Sequence, residues 1–273
     1  MTAALDDEQQ FLDLTAKIAR EREFRCGSYK EKCLRRRIAV RMRARGVHTF
    51  SDYARVLDGD SVEWDKLMDA LTINVTKLFR NWETYSMLAD HIVPGLWAAH
   101  NDQIKVWSAG CSSGEEPYSL ATLFHRAGER SGRPATPQRV RILGTDIDRR
   151  SLDAAARASF EEDAFADTPK EYRDRYFTPG YPATVLPAIK SLVALERRDL
   201  LLEEPPSGGF HMVVCRNVLI YFDRESQEML FQRFHDALLP GGVLVLGKVE
   251  TLLGNIRNKF AAIEARERIY RKL

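Results

Sequence analysis

The chain has 273 residues, 44% of them hydrophobic and 29% charged, a mix that excludes both a disordered polymer and a membrane-embedded bundle. The length suits one large domain or a small one joined to a larger. With 41 Lys and Arg against 39 Asp and Glu the net charge is only +2, so the molecule as a whole is no cationic glove for nucleic acid, and any electrostatic function lies in local patterning. Residues 1–10 are acidic and polar, without a basic or apolar leader, and no apolar run reaches about 18 residues; a cytoplasmic protein without membrane insertion is expected. Residues 6–23 space Phe11, Leu14 and Ile18 for a helix. Residues 30–45, KEKCLRRRIAVRMRAR, predict a strongly basic amphipathic helix with Leu34, Ile38, Val40 and Met42 on its apolar side and Gly46 as its stop. Residues 49–57 and 62–73 also read as helices, so an all-α domain is expected over residues 1–80.

A helix over residues 82–99 joins this part to a different pattern, which gives a linker helix over 81–100. From Ile104 onward, short β-branched runs at 104–107, 140–144, 192–195, 212–215 and 243–246 alternate with helical stretches. Such alternation predicts an α/β domain over 101–273, with a mostly parallel sheet covered on both faces. Residues 260–264 and 268–272 flank a turn and predict a closing antiparallel hairpin. A short insertion is expected around 163–198, irregular over the Pro-rich stretch TPGYPATVLP at 178–187. Cys26, Cys33, Cys111 and Cys215 form no C-x-x-C pair and the histidines are scattered, so neither a disulfide framework nor a metal site is expected.

The chemistry concentrates at the strand ends. Residues 104–120, IKVWSAGCSSGEEPYSL, read as strand, glycine turn and helix. Gly110 and Gly114 permit a tight turn and close ligand approach where open α/β sheets bind nucleotides. The dinucleotide pattern G-x-G-x-x-G and the lysine of a phosphate loop are both absent, and Glu115 and Glu116 occupy the first helical turn, which suits a cation rather than a phosphate. Asp146, in RILGTDID, ends the second strand, where a carboxylate accepts both hydroxyls of a ribose; Asp148 reads as the cap of the next helix. The string LLPGG at 238–242 marks a helix end and entry into a buried strand. Together these features point to an adenosyl ligand without phosphates, S-adenosylmethionine.

Four segments in order carry a family resemblance: TINVTKLFRN at 72–81, VWSAGCSSGEEPYS at 106–119, TDID at 145–148 and CRNVLIYF at 215–222. In these the chain resembles the CheR-type chemotaxis receptor protein-glutamate O-methyltransferases, from about Phe11 to its end. The resemblance implies a Rossmann-like class I methyltransferase sheet, S-adenosylmethionine as cofactor with S-adenosylhomocysteine as product, and glutamate side chains of the chemoreceptor cytoplasmic helical bundle as substrate. It places Asn74, Thr76 and Arg80 along the cofactor, Glu116 (or its neighbour Glu115) at the ammonium, Gly110 in the turn and Asp146 on the ribose. Asp199 and Leu200 would flank the adenine, with Arg216 and Asn217 completing the pocket.

A glutamate carboxylate, with a pKa near about 4.3, is already ionised at neutral pH, so no general base is required and orientation becomes the main device. Arg80 and Tyr221 are the expected carboxylate-positioning, catalytic residues. Arg35, Arg36, Arg41, Arg43 and Arg45 are the expected docking residues for an acidic receptor surface. Two departures from the family matter. The stretch 176–199, which corresponds to the small β-subdomain by which some members grip a receptor C-terminal pentapeptide, is short and lacks a glycine-rich loop, so no such tethering is expected, and NWETY at 81–85 reads as a coincidental match to that pentapeptide. GKVE at 247–250 stands where many members have G-H-S-E. A nucleic-acid methyltransferase would require an N-P-P-[FY] string, which CRNVLIYF does not supply; a non-catalytic adaptor would bind the cofactor without turnover.

Overall fold

The apolar spacing of the first seventy residues closes on itself as four helices, α1 (Thr2–Arg22), α2 (Glu31–Ala44), α3 (Phe50–Gly59) and α4 (Ser61–Leu71). In this computed structural model, residues 2–72 and 76–273 are described, and contacts divide the chain into two units: Met1–Ile73 with Tyr221–Gln227, and Asn74–Ile220 with Glu228–Leu273. In the first unit, Thr49 caps α3 by accepting the Asp52 N–H at 3.1 Å, and Asp60 caps α4 by accepting the Glu63 N–H at 3.0 Å. Leu34, Ile38 and Met42, one turn apart on α2, bury against Phe11, Leu14, Ile18, Tyr53, Leu57 and Leu67.

The charges of α2 are spent differently from expectation. Arg35 pairs with Asp7, Glu8 and Glu31 and lies over the Phe11 ring. Arg41 grips the buried Glu63 through two hydrogen bonds of 3.0 and 2.8 Å, and Arg45 pairs with Asp60 at 2.9 Å and reaches Glu63 at 3.9 Å. These three cations of the expected docking set are therefore neutralised inside their own unit. Arg36 and Arg43 are exposed and in no ion pair among the described residues.

Sequence periodicity gave no warning that Tyr221–Gln227 belongs with these helices. The Lys30 N–H donates to the Tyr221 carbonyl and the Asp223 N–H to the Ser28 carbonyl, each at 2.9 Å. Tyr29 forms a β-bridge with Phe222, their rings 4.9 Å apart.

The second unit begins with α5 (Trp82–Met87) and α6 (Val93–Ala99), joined by a π-helical turn at Leu88–Ile92. This is the predicted helix 82–99, widened just before Pro94, whose missing N–H cannot close the regular ladder. The boundary lies at 73/74 rather than at 80 because Leu78 and Phe79 are buried in the core of this unit. The strands are β1 (Ile104–Ala109), β2 (Val140–Asp146), β3 (Ser159–Phe160), β4 (Ala183–Thr184), β5 (Val193–Arg197), β6 (Phe210–Cys215), β7 (Leu238–Leu246), β8 (Phe260–Glu264) and β9 (Ile269–Lys272). Seven of them form one sheet in the order β5-β2-β1-β6-β7-β9-β8; its first five strands are parallel and β8–β9 is the predicted hairpin. The strand order reverses direction between β1 and β6, the crevice where ligands of such sheets bind.

Residues 178–187, expected to be irregular, contain β4, which pairs antiparallel with β3. The LLPGG string lies within β7 as a register shift against β6 rather than before the strand. Helix α7 (Glu115–Ser131) buries Leu120 and Phe124 with Val106 and Ile142 on one face of the sheet. On the other face, Trp107 meets Phe234 of the helix Arg224–Ala237 at 5.5 Å between ring centroids. The connection from β5 to β6 contains no helix, so the expected cover on both faces is incomplete over β1, β2 and β5.

Candidate active site

The carboxyl ends of β1, β2, β6 and β7 carry one polar constellation. After β1 the chain turns through Gly110 (φ 79°) and Gly114 (φ 97°) into α7. A Cβ on Gly110 would fall 2.6 Å from Val218 Cγ2, and one on Gly114 would fall 2.9 Å from Ala155 Cβ, so both positions require glycine for space as well as for backbone conformation. The same turn holds Ser112 at φ 48°, its Oγ buried without a hydrogen-bond partner.

Glu115 and Glu116, at the start of α7, are both buried. Glu115 accepts from the Ser113 hydroxyl at 2.8 Å. Glu116 lies under the sheet end, accepting from Ser108 Oγ at 2.7 Å. Burial pushes the Glu116 pKa up to about 7, outweighing the attraction of Arg216, the Ser108 hydrogen bond and the charge of Arg80. Burial raises Glu115 as well, but its oxygens are engaged by its own loop. Of the two, Glu116 is the carboxylate that gains most from an added cation.

Asp146, at the end of β2, accepts the Ser112 N–H at 2.8 Å on one oxygen and the Asp148 N–H at 3.0 Å on the other. These bonds aim its carboxylate across the β1 turn, while burial raises its pKa. Asp148 caps α8 (Arg149–Arg157), as its position suggested, by accepting the Arg150 N–H at 3.0 Å. Beyond β5, Asp199 Oδ1 accepts the N–H groups of Leu201 and Leu202 at 2.8 and 3.3 Å, and the Leu200 carbonyl accepts from Arg233 at 2.6 Å. The sheet order places this turn next to Asp146, whose carbonyl accepts the Arg198 N–H at 2.9 Å.

Arg216 and Asn217 follow β6. Arg216 is buried and donates to the Arg80 carbonyl at 2.8 Å and to Asn81 Oδ1 at 3.0 Å, its Nε remaining without a partner. Asn217 adopts φ 61°, with its Oδ1 buried and unpartnered. Its conformation is held by Glu250, a buried carboxylate that accepts the N–H groups of Gly247, Asn217 and Ile220 at 2.7, 3.0 and 3.3 Å. In GKVE, then, the final residue organises the neighbouring loop, while Lys248 ties the segment to Glu83 at 3.0 Å and Glu267 at 3.4 Å.

Thr76 and Arg80 are half-buried, Arg80 entering the constellation through its charge and its carbonyl. Asn74 lies outside the described residues. Thr84 and Tyr85 of NWETY are fully buried in α5. Tyr221 groups with the helical unit, where the Arg37 guanidinium lies 4.4 Å over its ring.

Sequence reading passed over Ser108, Ser112, Glu250 and Arg37. Arg37 is buried, donates to the Leu71 carbonyl and leaves Nε and Nη2 without partners. The available signal was its position, three residues after Leu34 and beside Ile38 on the apolar side of α2. Among the described residues there is no group of His, Cys, Asp and Glu that could hold a metal ion, and no helix long and apolar enough to cross a membrane.

Residues 74–269 match the family described as CheR methyltransferase, SAM binding domain, and residues 9–72 match its all-alpha domain. The chain is 32% identical over 249 residues to the chemotaxis protein methyltransferase of Listeria innocua, covering 91% of this chain and 92% of that one. It is 34% identical over 233 residues to the chemotaxis protein methyltransferase of Klebsiella aerogenes, covering 82% and 76%. An uncharacterised 104.1 kDa protein of Rhodobacter capsulatus is 37% identical over 248 residues; these are 90% of this chain but 26% of that protein.

Proposed function

Since the chain belongs to the CheR methyltransferase family, whose members use S-adenosylmethionine, we propose that it methylates glutamate side chains on the cytoplasmic helices of chemoreceptors, giving glutamyl methyl esters and S-adenosylhomocysteine in chemotactic adaptation. The observation that carries this reading is Glu116, a buried carboxylate in the first turn of α7, directly after the glycine turn, with its pKa raised to about 7. Such a group favours a cationic ligand over a phosphate.

The chain's own residues fit the cofactor. Glu116 would hold the ammonium and Asp146 the ribose hydroxyls. The orphaned Ser112 Oγ and Asn217 Oδ1 would gain partners. Asp199 and Leu200 would border the adenine, and Asn74, Thr76 and Arg80 would line the remaining side. Bound S-adenosylmethionine supplies an electrophilic methyl group on a sulfonium.

What the protein adds is orientation and the exclusion of water, because the acceptor carboxylate is already ionised. Arg80 and Tyr221 are its proposed positioning groups. Docking falls to Arg36 and Arg43; the internal ion pairs of Arg35, Arg41 and Arg45 argue against their earlier assignment to that role. Pentapeptide tethering is not proposed, because the stretch 176–199 has no glycine-rich loop and its two-residue strand β4 pairs with the two-residue β3.

The decisive test is transfer of radiolabelled methyl from S-adenosylmethionine to a receptor cytoplasmic fragment, followed by base treatment. Carboxyl methyl esters release methanol in base. Label stable to base, or cofactor binding without transfer to any of several receptor fragments, would overturn the reading.

A further inference from the structure

The backbone is left-handed on both sides of Arg80, with Phe79 at φ 52° and Asn81 at φ 59°. Asparagine tolerates this conformation, but a bulky aromatic adopts it only where its surroundings impose it. Those surroundings lie within the second unit. The Phe79 ring is fully buried against Tyr85 and Tyr172, with centroids 5.5 and 5.1 Å away. The Phe79 N–H donates to Ser119 Oγ at 2.8 Å, and the Leu78 N–H to the Ala164 carbonyl at 2.9 Å.

After Arg80 the same task falls to polar side chains. Arg216 donates to the Arg80 carbonyl and to Asn81 Oδ1, at 2.8 and 3.0 Å. The Asn81 N–H donates to Asp167 Oδ2 at 2.9 Å, a bond strengthened by the charge of its acceptor. Asp167 stands two residues beyond the helical turn Glu162–Phe165 and is only partly buried, its other oxygen 3.6 Å from Lys77 Nζ. It belongs to no core, so its bond to the Asn81 amide is its main engagement with the protein. The Arg80 charge in turn favours the ionised form of buried Glu116.

We propose that Asp167 and Asn81 are positioning residues for methyl transfer, acting through Arg80 by fixing the left-handed backbone that carries it. This rests on the reading of Arg80 as a group that orients the acceptor carboxylate. Asp167 supplies the acceptor for the amide after Arg80, and Asn81 supplies both a residue suited to positive φ and the oxygen that Arg216 holds. Displacing an orienting group by about 1 Å can cost about a hundredfold in rate.

The test is calorimetry of the full chain with S-adenosylhomocysteine across pH, which needs no acceptor. Wild-type binding tightens as pH rises through about 7, where Glu116 ionises. Arg80→Ala is expected to move that midpoint upward, because a cation near the carboxylate is lost. Asp167→Ala and Asn81→Gly are expected to move it the same way, whereas Asp167→Asn, which keeps an oxygen for the Asn81 amide, stays near wild type. The sign separates the causes, since loss of the Asp167 charge by itself would lower the midpoint. With a receptor fragment as acceptor, Asp167→Ala is expected to lower kcat by about tenfold or more. The proposal is overturned if Asp167→Ala and Asn81→Gly keep the wild-type midpoint, whatever their Tm, or if Asp167→Asn shifts it as far as Asp167→Ala does. It is equally overturned if Arg80→Ala leaves the midpoint in place. A wild-type chain that transfers no methyl to receptor fragments would instead overturn the receptor reading, with the pH comparison still deciding whether Asp167 and Asn81 place Arg80.

Discussion

Glu116→Gln keeps the shape of the side chain and an acceptor for the Ser108 hydroxyl but removes a buried charge. In the folded protein burial raises this carboxyl from 4.5 to about 7, an interval that corresponds to about 3 kcal/mol between its two protonation states. The folded state holds the proton more tightly than the unfolded chain does. Stability of the ligand-free protein therefore falls as pH rises from 4.5 towards about 7 and stays lowered above it. At about pH 8, denaturant unfolding should show ligand-free Glu116→Gln more stable than wild type by up to about 3 kcal/mol, the difference vanishing below about pH 4. Cofactor affinity moves the other way, because an ammonium requires the ionised carboxylate. Calorimetry with S-adenosylhomocysteine should show wild-type binding tightening as pH rises through about 7. The glutamine variant should bind about 10- to 100-fold more weakly at high pH and without that pH dependence, given the usual strength of a charge-assisted hydrogen bond. A variant that is no more stable without ligand, and binds as wild type does, would refute the assignment of Glu116.

Gly110→Ala meets both a φ of 79° and the side chain of Val218; a loss of about 2 kcal/mol and weakened cofactor binding are expected, and adding Val218→Ala should restore only the part due to the clash. Glu63→Gln leaves Arg41 without its buried partner and should cost about 3–5 kcal/mol in urea unfolding. Burial alone would raise Glu63, but Arg41 and Tyr53 hold it below the ordinary range. Its contribution is therefore full above 4.5 and lost as pH falls through the lowered folded value, a trend that acid titration of stability would check. Arg36→Glu and Arg43→Glu should raise KM for a receptor fragment with kcat retained, and should reduce the salt sensitivity of the reaction; Arg35→Glu should instead lower Tm. Unaltered KM in both exposed variants would remove the docking assignment.

The parts legible in the sequence were those with short-range causes. The apolar spacing of α2, the β-branched runs of β1 and β2, the glycine turn with its acidic helix start and the hairpin β8–β9 all follow from neighbours a few residues apart. Where the reading went astray, the cause lay far along the chain. Arg35 looks like a docking cation until Asp7 and Glu8 are brought against it from α1. Arg41 looks the same until Tyr53 and Glu63 enclose it. Glu250 gives no local sign that three amides from two loops converge on it. Alternation of strands and helices predicts covered sheet faces, and only the missing helix after β5 reveals the open one. Position 37 could have been recognised, because an arginine on the apolar side of α2 must bury its charge or use it.

The helical unit contains a segment, Tyr221–Gln227, that the ribosome makes long after the four helices. At about 5–20 residues per second, roughly ten seconds to half a minute separate the emergence of Ile73 from that of Gln227. Over that interval the Lys30 amide and the Ser28 carbonyl wait for their backbone partners, and the Arg37 guanidinium waits for its ring. The nascent helices thus have an unfinished edge during synthesis, and a fragment ending at residue 73 would keep that edge for good. Deleting the late segment should therefore leave a helical fragment with faster amide hydrogen exchange around residues 28–37, even though every helix of the unit is retained.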